Sequence, residues 1–254
     1  MGKTFLEYDK PLLTTMVQGR TPERIKELID LSVPEGAEAF GMQFCQMEEE
    51  YKTREVYEDL FSYTDKPTYV TNYRYGLNAG KSDEKLGEEL CELAEYGATL
   101  CDMMGDYFDR QPDELARDEK AIDMQMRLIE KLHKNGAEVL MSSHVHKFMT
   151  PERVLEMALE HQRRGADICK IVVHSGDSLQ ECENLKMIAM LKSELKIPFL
   201  FLSGGECRLI RRVGGELGCC MYLCVHEYDE LATRQQPLLK YLKAVRDNIQ
   251  DYNS

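Results

Sequence analysis

The sequence predicts a (β/α)₈ barrel, and two observations carry this prediction. Eight short apolar runs lie along the chain, most of them about 30 residues apart. The intervals hold helical patterns, such as PERIKELIDLSV and DEKLGEELCELAEYG, in which apolar residues recur three and four positions apart. Strands that alternate with helices pair in parallel through right-handed crossovers, and eight such units close into a barrel.

The eight apolar runs are the predicted strands, taken in chain order. The acidic stretch 47–60 is typical of the solvated face of a helix, and QQPLLKYLKAVRDNIQDY is typical of a closing helix. A doubly wound open sheet is the alternative, but it normally has fewer strands, and the chain has no G-x-G-x-x-G turn. We therefore expect a single TIM-barrel domain over 1–254. The predicted strands span 12–17, 37–44, 68–74, 100–104, 138–144, 168–174, 198–204 and 219–225.

An internal repeat supports the barrel. TPERIKELIDLSVPEGAEAFG begins at Thr21, and TPERVLEMALEHQRRGADICK begins at Thr150. Threonine at the N-cap, proline at the first helical position and glutamate in the first turn favour a helix start, and a glycine ends each segment. The matched spacing indicates two halves of one barrel, and it aligns Lys170 with Gly41.

Charge and hydropathy restrict the partners. The chain has 254 residues, 43% of them hydrophobic, but no run of 18 apolar residues that would cross a membrane. Its start, MGKTFLEYDKPLL, is charged and lacks the apolar core of a signal peptide. A net charge of −13 disfavours nucleic acid and anionic membranes as partners. An anionic substrate would need a local basic pocket.

The nine cysteines do not form a disulfide pattern, and the chain contains no C-x-x-C pair. Most of them lie in apolar surroundings, which favours reduced core thiols over a metal or redox role. We therefore expect a cytoplasmic protein.

One lysine stands inside an apolar strand. In ICKIVVH, alternation puts Lys170 on the face shared with Ile168 and Val172, while the opposite face is apolar. If the apolar face packs against the outer helices, Lys170 points into the barrel. A buried ammonium is costly unless it has a partner or a function. Two interpretations are open, namely an ion pair with a carboxylate of a neighbouring strand or a Schiff-base nucleophile with a lowered pKa.

Histidines end the preceding strand. In VLMSSHVHKFMTP, His144 is in alternation with Ser142, and a histidine there could shuttle protons for an imine. The alternative is an ordinary polar residue of a βα loop. His144 and His146 are two apart, but no third ligand shows a fitting pattern, so we expect no metal.

These residues resemble the type I 3-dehydroquinate dehydratase family, the class I Schiff-base barrels. The family has Ser-x-His and then Thr-Pro at strand 5, where this chain has SSHVHKFMTP. It has Gly-Ala-Asp-Ile-x-Lys-Ile at strand 6, where this chain has GADICKI. After strand 7, SGGECRLIRRVGGELGC keeps the family spacing of Gly204, Arg211, Gly214 and Gly218, but has Cys207, Ile210, Leu217 and Cys219 at other family positions.

The resemblance implies a role for each matched residue. Lys170 would form the imine with a substrate ketone, and His144 would be the general acid and base, although His146 keeps the family's spacing to an aromatic residue. Arg211 would grip the substrate carboxylate, which suits the two-pronged guanidinium. Further substrate-binding positions are Arg74 and either Gln236 or Gln235.

The departures from the family concern mainly its supporting carboxylates. The family's strand 2 carries Glu-x-Arg-x-Asp, and the glutamate that orients its histidine follows strand 3. We expect the residues now at these places to line an altered pocket, together with Tyr73 and His174, and His144 to lack a carboxylate partner. Strand 2 here has Gly41, Gln43 and Cys45, Asn78 replaces the glutamate, and strand 4 has Asp102, Met103 and Met104.

The predicted function is a dehydratase, a carbon–oxygen lyase that converts 3-dehydroquinate or a related keto-acid to its enone through a lysine imine. From 3-dehydroquinate the product would be 3-dehydroshikimate. The alternatives are an imine-forming carbon–carbon lyase or isomerase on another keto substrate, and a barrel that binds a carboxylate without turnover. We expect a small carboxylated keto substrate, no cofactor, a possible homodimer, and poor turnover of 3-dehydroquinate itself.

Overall fold

Eight parallel strands alternate with eight α-helices in the part of the chain that the structure, a computed structural model, describes, residues 4–251. The ends of the predicted domain, 1–3 and 252–254, lie outside the described residues. The strands are β1 (Leu12–Val17), β2 (Ala39–Gln43), β3 (Thr68–Thr71), β4 (Leu100–Met104), β5 (Glu138–His144), β6 (Ile168–Ser175), β7 (Phe199–Gly205) and β8 (Met221–Cys224). The helices are α1 (Pro22–Glu35), α2 (Arg54–Ser62), α3 (Asp83–Glu95), α4 (Glu119–Lys134), α5 (Pro151–Arg163), α6 (Ser178–Glu194), α7 (Ile210–Leu217) and α8 (Leu239–Asp251).

The strands form a nearly closed barrel. Consecutive strands from β1 to β7 pair in parallel, and β1 also pairs with β8, so the sheet order runs β7-β6-β5-β4-β3-β2-β1-β8. The two edges meet where the backbone N of Cys220 donates to the carbonyl O of Phe199 at 2.9 Å. The predicted (β/α)₈ fold is therefore confirmed.

The internal repeat corresponds to two equivalent helix–strand units. The side chains of Thr21 and Thr150 each accept a hydrogen bond at 3.4 Å from the backbone N three residues on. Gly36 and Gly165 follow the two helices with φ of +99°, a left-handed conformation that favours glycine. Local cap chemistry thus starts and stops α1 and α5 at the predicted places.

Strand β6 shows the predicted alternation. Lys170 and Val172 line a cavity inside the barrel, while Cys169 faces α5, where its Sγ lies 3.4 Å from Nδ1 of the buried His161. Burial raises the pKa of the Cys169 thiol, which keeps it protonated and unreactive. Lys170 therefore points into the barrel, as its strand register predicts.

Two segments differ from the prediction. The acidic stretch 47–60 is not one helix, because a 3₁₀ turn (Glu49–Tyr51) precedes α2. Strand β3 ends at Thr71, three residues before the predicted end. The residues after Thr71 do not pair with β2 or β4. The carbonyl O of Tyr73 accepts instead from Nδ2 of Asn78, at 3.1 Å. Tyr73 and Arg74 consequently lie on the loop above the strand. Within residues 4–251, no helix combines the length and hydropathy needed to span a membrane.

Candidate active site

A cavity of about 500 Å³ lies at the carboxyl ends of the strands, where active sites of this architecture are found. Six predicted site residues line it, and they come from strands or loops far apart in the sequence. The six are Lys170, His144, Arg211, Arg74, Gln236 and Gln43.

Lys170 is bound at the base of this cavity by an acid and a phenol. Its Nζ donates to Oδ2 of Asp102 at 2.9 Å and to the hydroxyl O of Tyr73 at 2.7 Å. The exposed fractions of the Lys170 and Asp102 side chains are 4% and 0%. The ion-pair interpretation of Lys170 therefore holds, and the same ammonium also faces the cavity, as an imine nucleophile must.

Asp102 is the centre of a small buried network. Its Oδ1 accepts from Ser142 Oγ at 2.5 Å, and its Oδ2 accepts from the Tyr73 hydroxyl at 2.5 Å as well as from Lys170. Burial, and next the charge of Asp102, raise the pKa of Tyr73 well above its ordinary value, so the phenol stays protonated. Sequence reasoning noted Asp102 only as a remnant of the family motif, although its inward register on β4 was a usable signal.

His144 has a carboxylate partner that the sequence analysis missed. Oε2 of Glu114, on the loop between β4 and α4, lies 3.0 Å from Nδ1 of His144 and accepts from its backbone N at 2.6 Å. The His144 ring also meets the Tyr73 ring edge-on, at 5.2 Å between centroids. The expectation that His144 lacks a carboxylate is wrong, because an irregular loop brings Glu114 to it.

The second histidine has a different environment. His146 also lines the cavity, but its side chain is exposed on the loop after β5. His174, predicted to line the altered pocket, is exposed at the end of β6 and is not on the cavity wall. Among residues 4–251, no three His, Cys, Asp or Glu side chains are grouped so that they could hold a metal ion.

Arg211 presents a buried cation to the cavity. It is 5% exposed, its Nε donates to the carbonyl O of Ser203 at 2.7 Å, and it forms no salt bridge with a carboxylate of residues 4–251. Burial, and then the neighbouring Arg208 and Arg212, lower its pKa to about 10. A buried guanidinium without a protein carboxylate is a ready site for a substrate carboxylate.

Two buried polar atoms on the cavity wall have no hydrogen-bond partner among residues 4–251. They are Oε1 of Gln236 and Oγ1 of Thr71, in side chains that are 7% and 1% exposed. Buried polar atoms are nearly always satisfied, so unpaired ones in a cavity indicate contacts to a ligand. Gln236 rather than Gln235 lies on the wall, and Thr71 was not predicted.

Asn78 does not lie where its predicted substrate contact requires. It is completely buried but is not on the cavity wall. Its Nδ2 donates to Oδ1 of Asn72 at 2.7 Å and to the carbonyl O of Tyr73, and its Oδ1 accepts from Lys52 at 3.1 Å. All its amide groups are thus occupied in bracing the β3 loop, which corrects the predicted role.

Arg74 lines the cavity but is already neutralised. Its guanidinium makes two bonds to Asp83, at 2.6 and 2.9 Å, and one to Oδ1 of Asp106, at 2.6 Å. Gln43 is on the wall, and its Nε2 contacts Sγ of Cys45 at 3.3 Å. Arg74 therefore has little hydrogen-bonding capacity left for a substrate, whereas the Gln43 side-chain amide keeps more of its capacity.

Neighbouring side chains fill the space beside Gly41, the β2 position at which the family resemblance implies a glutamate. A Cβ built on Gly41 would lie 2.3 Å from Sδ of Met16 and 2.4 Å from Cε1 of Tyr69. The Tyr69 hydroxyl in turn donates to Met16 Sδ at 3.3 Å. Two large side chains therefore occupy the space above Gly41, and this side of the cavity is mainly apolar.

The chain is similar to known 3-dehydroquinate dehydratases. A curated 3-dehydroquinate dehydratase of Alkaliphilus oremlandii (strain OhILAs) is 29% identical over 216 residues, which cover 82% of this chain and 80% of that protein. The family profile described as type I 3-dehydroquinase matches residues 112–222, the segment that contains Glu114, His144, Lys170 and Arg211.

The chain is thus similar to type I 3-dehydroquinate dehydratases in the segment that carries these four residues.

Solved structures of the family share the fold. The 3-dehydroquinate dehydratase of Geobacillus kaustophilus has a TM-score of 0.82 at 14% identity, covering 97% of this chain and 93% of that chain. The type I 3-dehydroquinate dehydratase of Clostridium difficile, solved with covalently modified comenic acid, has a TM-score of 0.78 at 17% identity and covers 99% and 95%. The departures at Gly41, Gln43 and Asn78 all precede the segment that matches the type I 3-dehydroquinase profile.

Proposed function

We propose that this protein is a lyase that dehydrates 3-dehydroquinate or a related carboxylated keto-acid through an imine on Lys170. One observation carries the proposal, namely the buried ammonium of Lys170 on the wall of a cavity that also holds His144 and an unpaired Arg211. The similarity to 3-dehydroquinate dehydratases supports the same activity.

Lys170 supplies the covalent step. Its neutral amine attacks the ketone carbon, the carbonyl oxygen leaves as water, and an iminium remains on Nζ. Asp102, 2.9 Å from Nζ, is the fixed counter-ion for that positive charge in a site that excludes most water. The Tyr73 hydroxyl, bonded to both groups, holds the nitrogen in place. Asp102 therefore neutralises the iminium from the position in which it already neutralises the Lys170 ammonium.

His144 moves the protons of the elimination. As a neutral imidazole it takes the proton from the carbon next to the iminium carbon, which leaves an enamine. The enamine electrons expel the hydroxyl group of the following carbon, and the histidine returns its proton so that water leaves. Hydrolysis of the resulting unsaturated imine releases the enone and restores the Lys170 amine.

Arg211 binds the substrate carboxylate, and the two buried polar atoms without a protein partner bind hydroxyl groups of the substrate. Arg211 has free N–H groups toward the cavity, against a net chain charge of −13. Oε1 of Gln236 and Oγ1 of Thr71 are the acceptors that still need partners. These three groups, together with the Gln43 amide, define a site for an acid with a small number of hydroxyl groups.

The apolar side of the cavity narrows the substrate class. Met16 and Tyr69 fill the space above Gly41, where the family resemblance puts a glutamate. A site loses discrimination for hydroxyl groups when its polar partners are absent. We infer that the protein turns over 3-dehydroquinate less efficiently than a keto-acid with fewer hydroxyl groups on this side. Turnover of 3-dehydroquinate at kcat/KM above about 10⁴ M⁻¹s⁻¹ would overturn this inference.

Borohydride trapping tests the proposal. The protein is incubated with 3-dehydroquinate or another keto-acid, reduced, and measured by intact mass and peptide mapping. The peptide containing Lys170 gains the mass of the substrate less one oxygen, or that of the dehydrated product less one oxygen. A Lys170→Met variant gives no adduct.

The same measurement separates the alternative functions. A carbon–carbon lyase leaves a shorter adduct on Lys170, whereas a non-catalytic binder leaves none. An adduct on a different lysine, or wild-type turnover by Lys170→Met, contradicts the proposed role. A cytoplasmic location and a homodimer, both expected from the sequence, stay predictions.

A further inference from the structure

The loop between β4 and α4 supplies an acid to the cavity that the family resemblance does not assign. We propose that Glu114 is the positioning residue of His144, so that a carboxylate from the loop after β4 replaces the one expected at Asn78 after β3. The inference rests on the proposed function for the catalytic use of His144, but the geometry between the two side chains is independent of it. A single oxygen, Oε2, contacts both Nδ1 and the backbone N of His144.

The contact selects one tautomer of the imidazole. An ionised carboxylate only accepts hydrogen bonds, so Nδ1 must carry the proton that it shares with Glu114. Burial alone would raise the pKa of the Glu114 carboxyl, but the hydrogen bonds from the ring and the backbone N of His144 hold it below its ordinary value. Nε2 of the ring is then the unprotonated nitrogen left for the cavity, which is the form a general base needs.

The backbone at Glu114 is strained, and buried groups hold it. Its φ is +48°, a left-handed conformation that is uncommon for residues other than glycine. Ser143 Oγ donates to the carbonyl O of Glu114 at 2.7 Å and lies 3.0 Å from Nε2 of His161. His161 is completely buried, and burial lowers its pKa to about 3, so it stays neutral in this chain of contacts.

A glycine makes room for the loop. A Cβ on Gly105, which directly follows β4, would lie 2.7 Å from the carbonyl O of Glu114 and 2.9 Å from Nε2 of His161. The neighbouring Asp113 pairs with Arg117 and Arg153, at 2.7 and 2.9 Å, and ties the loop to α5. Ser143, Gly105 and Asp113 thus hold the strained backbone of Glu114 in place. Backbone strain that the surrounding structure maintains is typical of a functional position.

Other charged groups face the pair without replacing Glu114. Arg74 lies near enough to lower the pKa of the Glu114 carboxyl, but its own hydrogen bonds go to Asp83 and Asp106. The Tyr73 ring packs edge-on against His144, and its hydroxyl is directed to Asp102. Glu114 is therefore the carboxylate that determines which tautomer the His144 ring adopts.

The test replaces Glu114 by its neutral isostere. Glu114→Gln keeps an oxygen for the backbone N of His144 but no longer imposes a tautomer, because an amide both donates and accepts. We expect kcat for a trapped substrate to fall about 10²-fold or more, with KM little changed, as for other tautomer-setting acids. Glu119→Gln, at the exposed start of α4, removes the same charge and is the matched control, with wild-type kinetics expected.

A spectroscopic measurement separates positioning from folding and from catalysis. In ¹⁵N-histidine-labelled protein, His144 should be protonated at Nδ1 and bare at Nε2, and Glu114→Gln should populate the other tautomer. This change is expected even if no keto-acid forms an adduct with Lys170, in which case the proposed function fails and the positioning role stands. An unchanged tautomer with unchanged kcat overturns the role of Glu114.

A second variant covers the case in which Glu114→Gln does not fold. In His144→Ala, the ¹³C carboxyl resonance of Glu114 should titrate at higher pH than in the wild-type protein, because the ring contact that lowers its pKa is gone while the bond from the backbone N of residue 144 remains. Equal titration in both proteins contradicts the coupling.

Discussion

Oδ2 of Asp102 lies 2.9 Å from Nζ of Lys170, although the two residues belong to strands separated by β5. Both side chains are almost completely buried, and Ser142 of the intervening strand donates to the other Asp102 oxygen. The pair therefore neutralises a charge that would be costly in isolation, and it stays neutralised when the amine becomes an iminium.

Replacing Asp102 by Asn should damage both stability and activity. The substitution leaves the Lys170 ammonium buried without a counter-ion, which costs about 3–5 kcal/mol. Urea unfolding of wild type and variant at neutral pH measures this cost. In the double variant Asp102→Asn with Lys170→Met, most of the stability should return because the unpaired charge is gone. Equal losses in the single and double variants would show that the charge is not the cause.

Replacing Thr71 by Val should affect substrate binding without harming the fold. The Thr71 hydroxyl has no partner in the described protein, so its removal leaves the free energy of unfolding unchanged or slightly larger. If the hydroxyl contacts the substrate, kcat/KM falls about threefold to tenfold. Thr71→Ser is the control and should keep the wild-type value. Loss of stability without a change in kcat/KM contradicts a ligand-binding role.

Replacing Arg211 by Lys should weaken binding of a carboxylated substrate. Lysine keeps the charge but loses the bidentate geometry, and we expect KM to rise about 10-fold to 100-fold. Arg208→Lys, on the exposed stretch after β7, is the matched control. Equal turnover of the acid and its decarboxylated analogue by the wild type would remove the proposed carboxylate contact.

The two histidines should differ strongly when each is replaced by Ala. His144 has the carboxylate partner and His146 is exposed, so we expect His144→Ala to lose about 10²–10⁴-fold in kcat. His146→Ala should stay close to the wild-type rate. The opposite ranking would assign the proton transfer to His146, whose spacing to Phe148 follows the family.

Replacing Gly41 by Ala should destabilise the barrel. The new methyl group would collide with Met16 and Tyr69, and overpacking of a core typically costs about 1–3 kcal/mol. Thermal unfolding measures the effect, and Gly176→Ala, whose added methyl group would have its nearest neighbour, Oε1 of Gln180, 4.0 Å away, is the control. An unchanged melting temperature for Gly41→Ala would show that the two side chains move aside easily.

The order of strands and helices and the register of Lys170 follow from the amino-acid sequence alone. These features depend on period-2 and period-3.6 patterns and on local caps, such as Thr21 and Thr150, which act over a few residues. The alternation within ICKIVVH was sufficient to point Lys170 into the barrel, and the position of Ser142 and His144 on the preceding strand was sufficient to place the histidine beside it.

The groups that complete the site depend on how the chain packs in three dimensions. Glu114 belongs to an irregular loop with a left-handed residue, and no periodic pattern predicts where such a loop directs its side chain. Asn78 shows the converse, because its alignment with a family glutamate suggested the cavity, whereas its hydrogen bonds hold it behind the β3 loop. Contacts between residues 30 positions apart, such as Glu114 with His144, arise from the packing of loops at the barrel rim, and that packing depends on the whole fold.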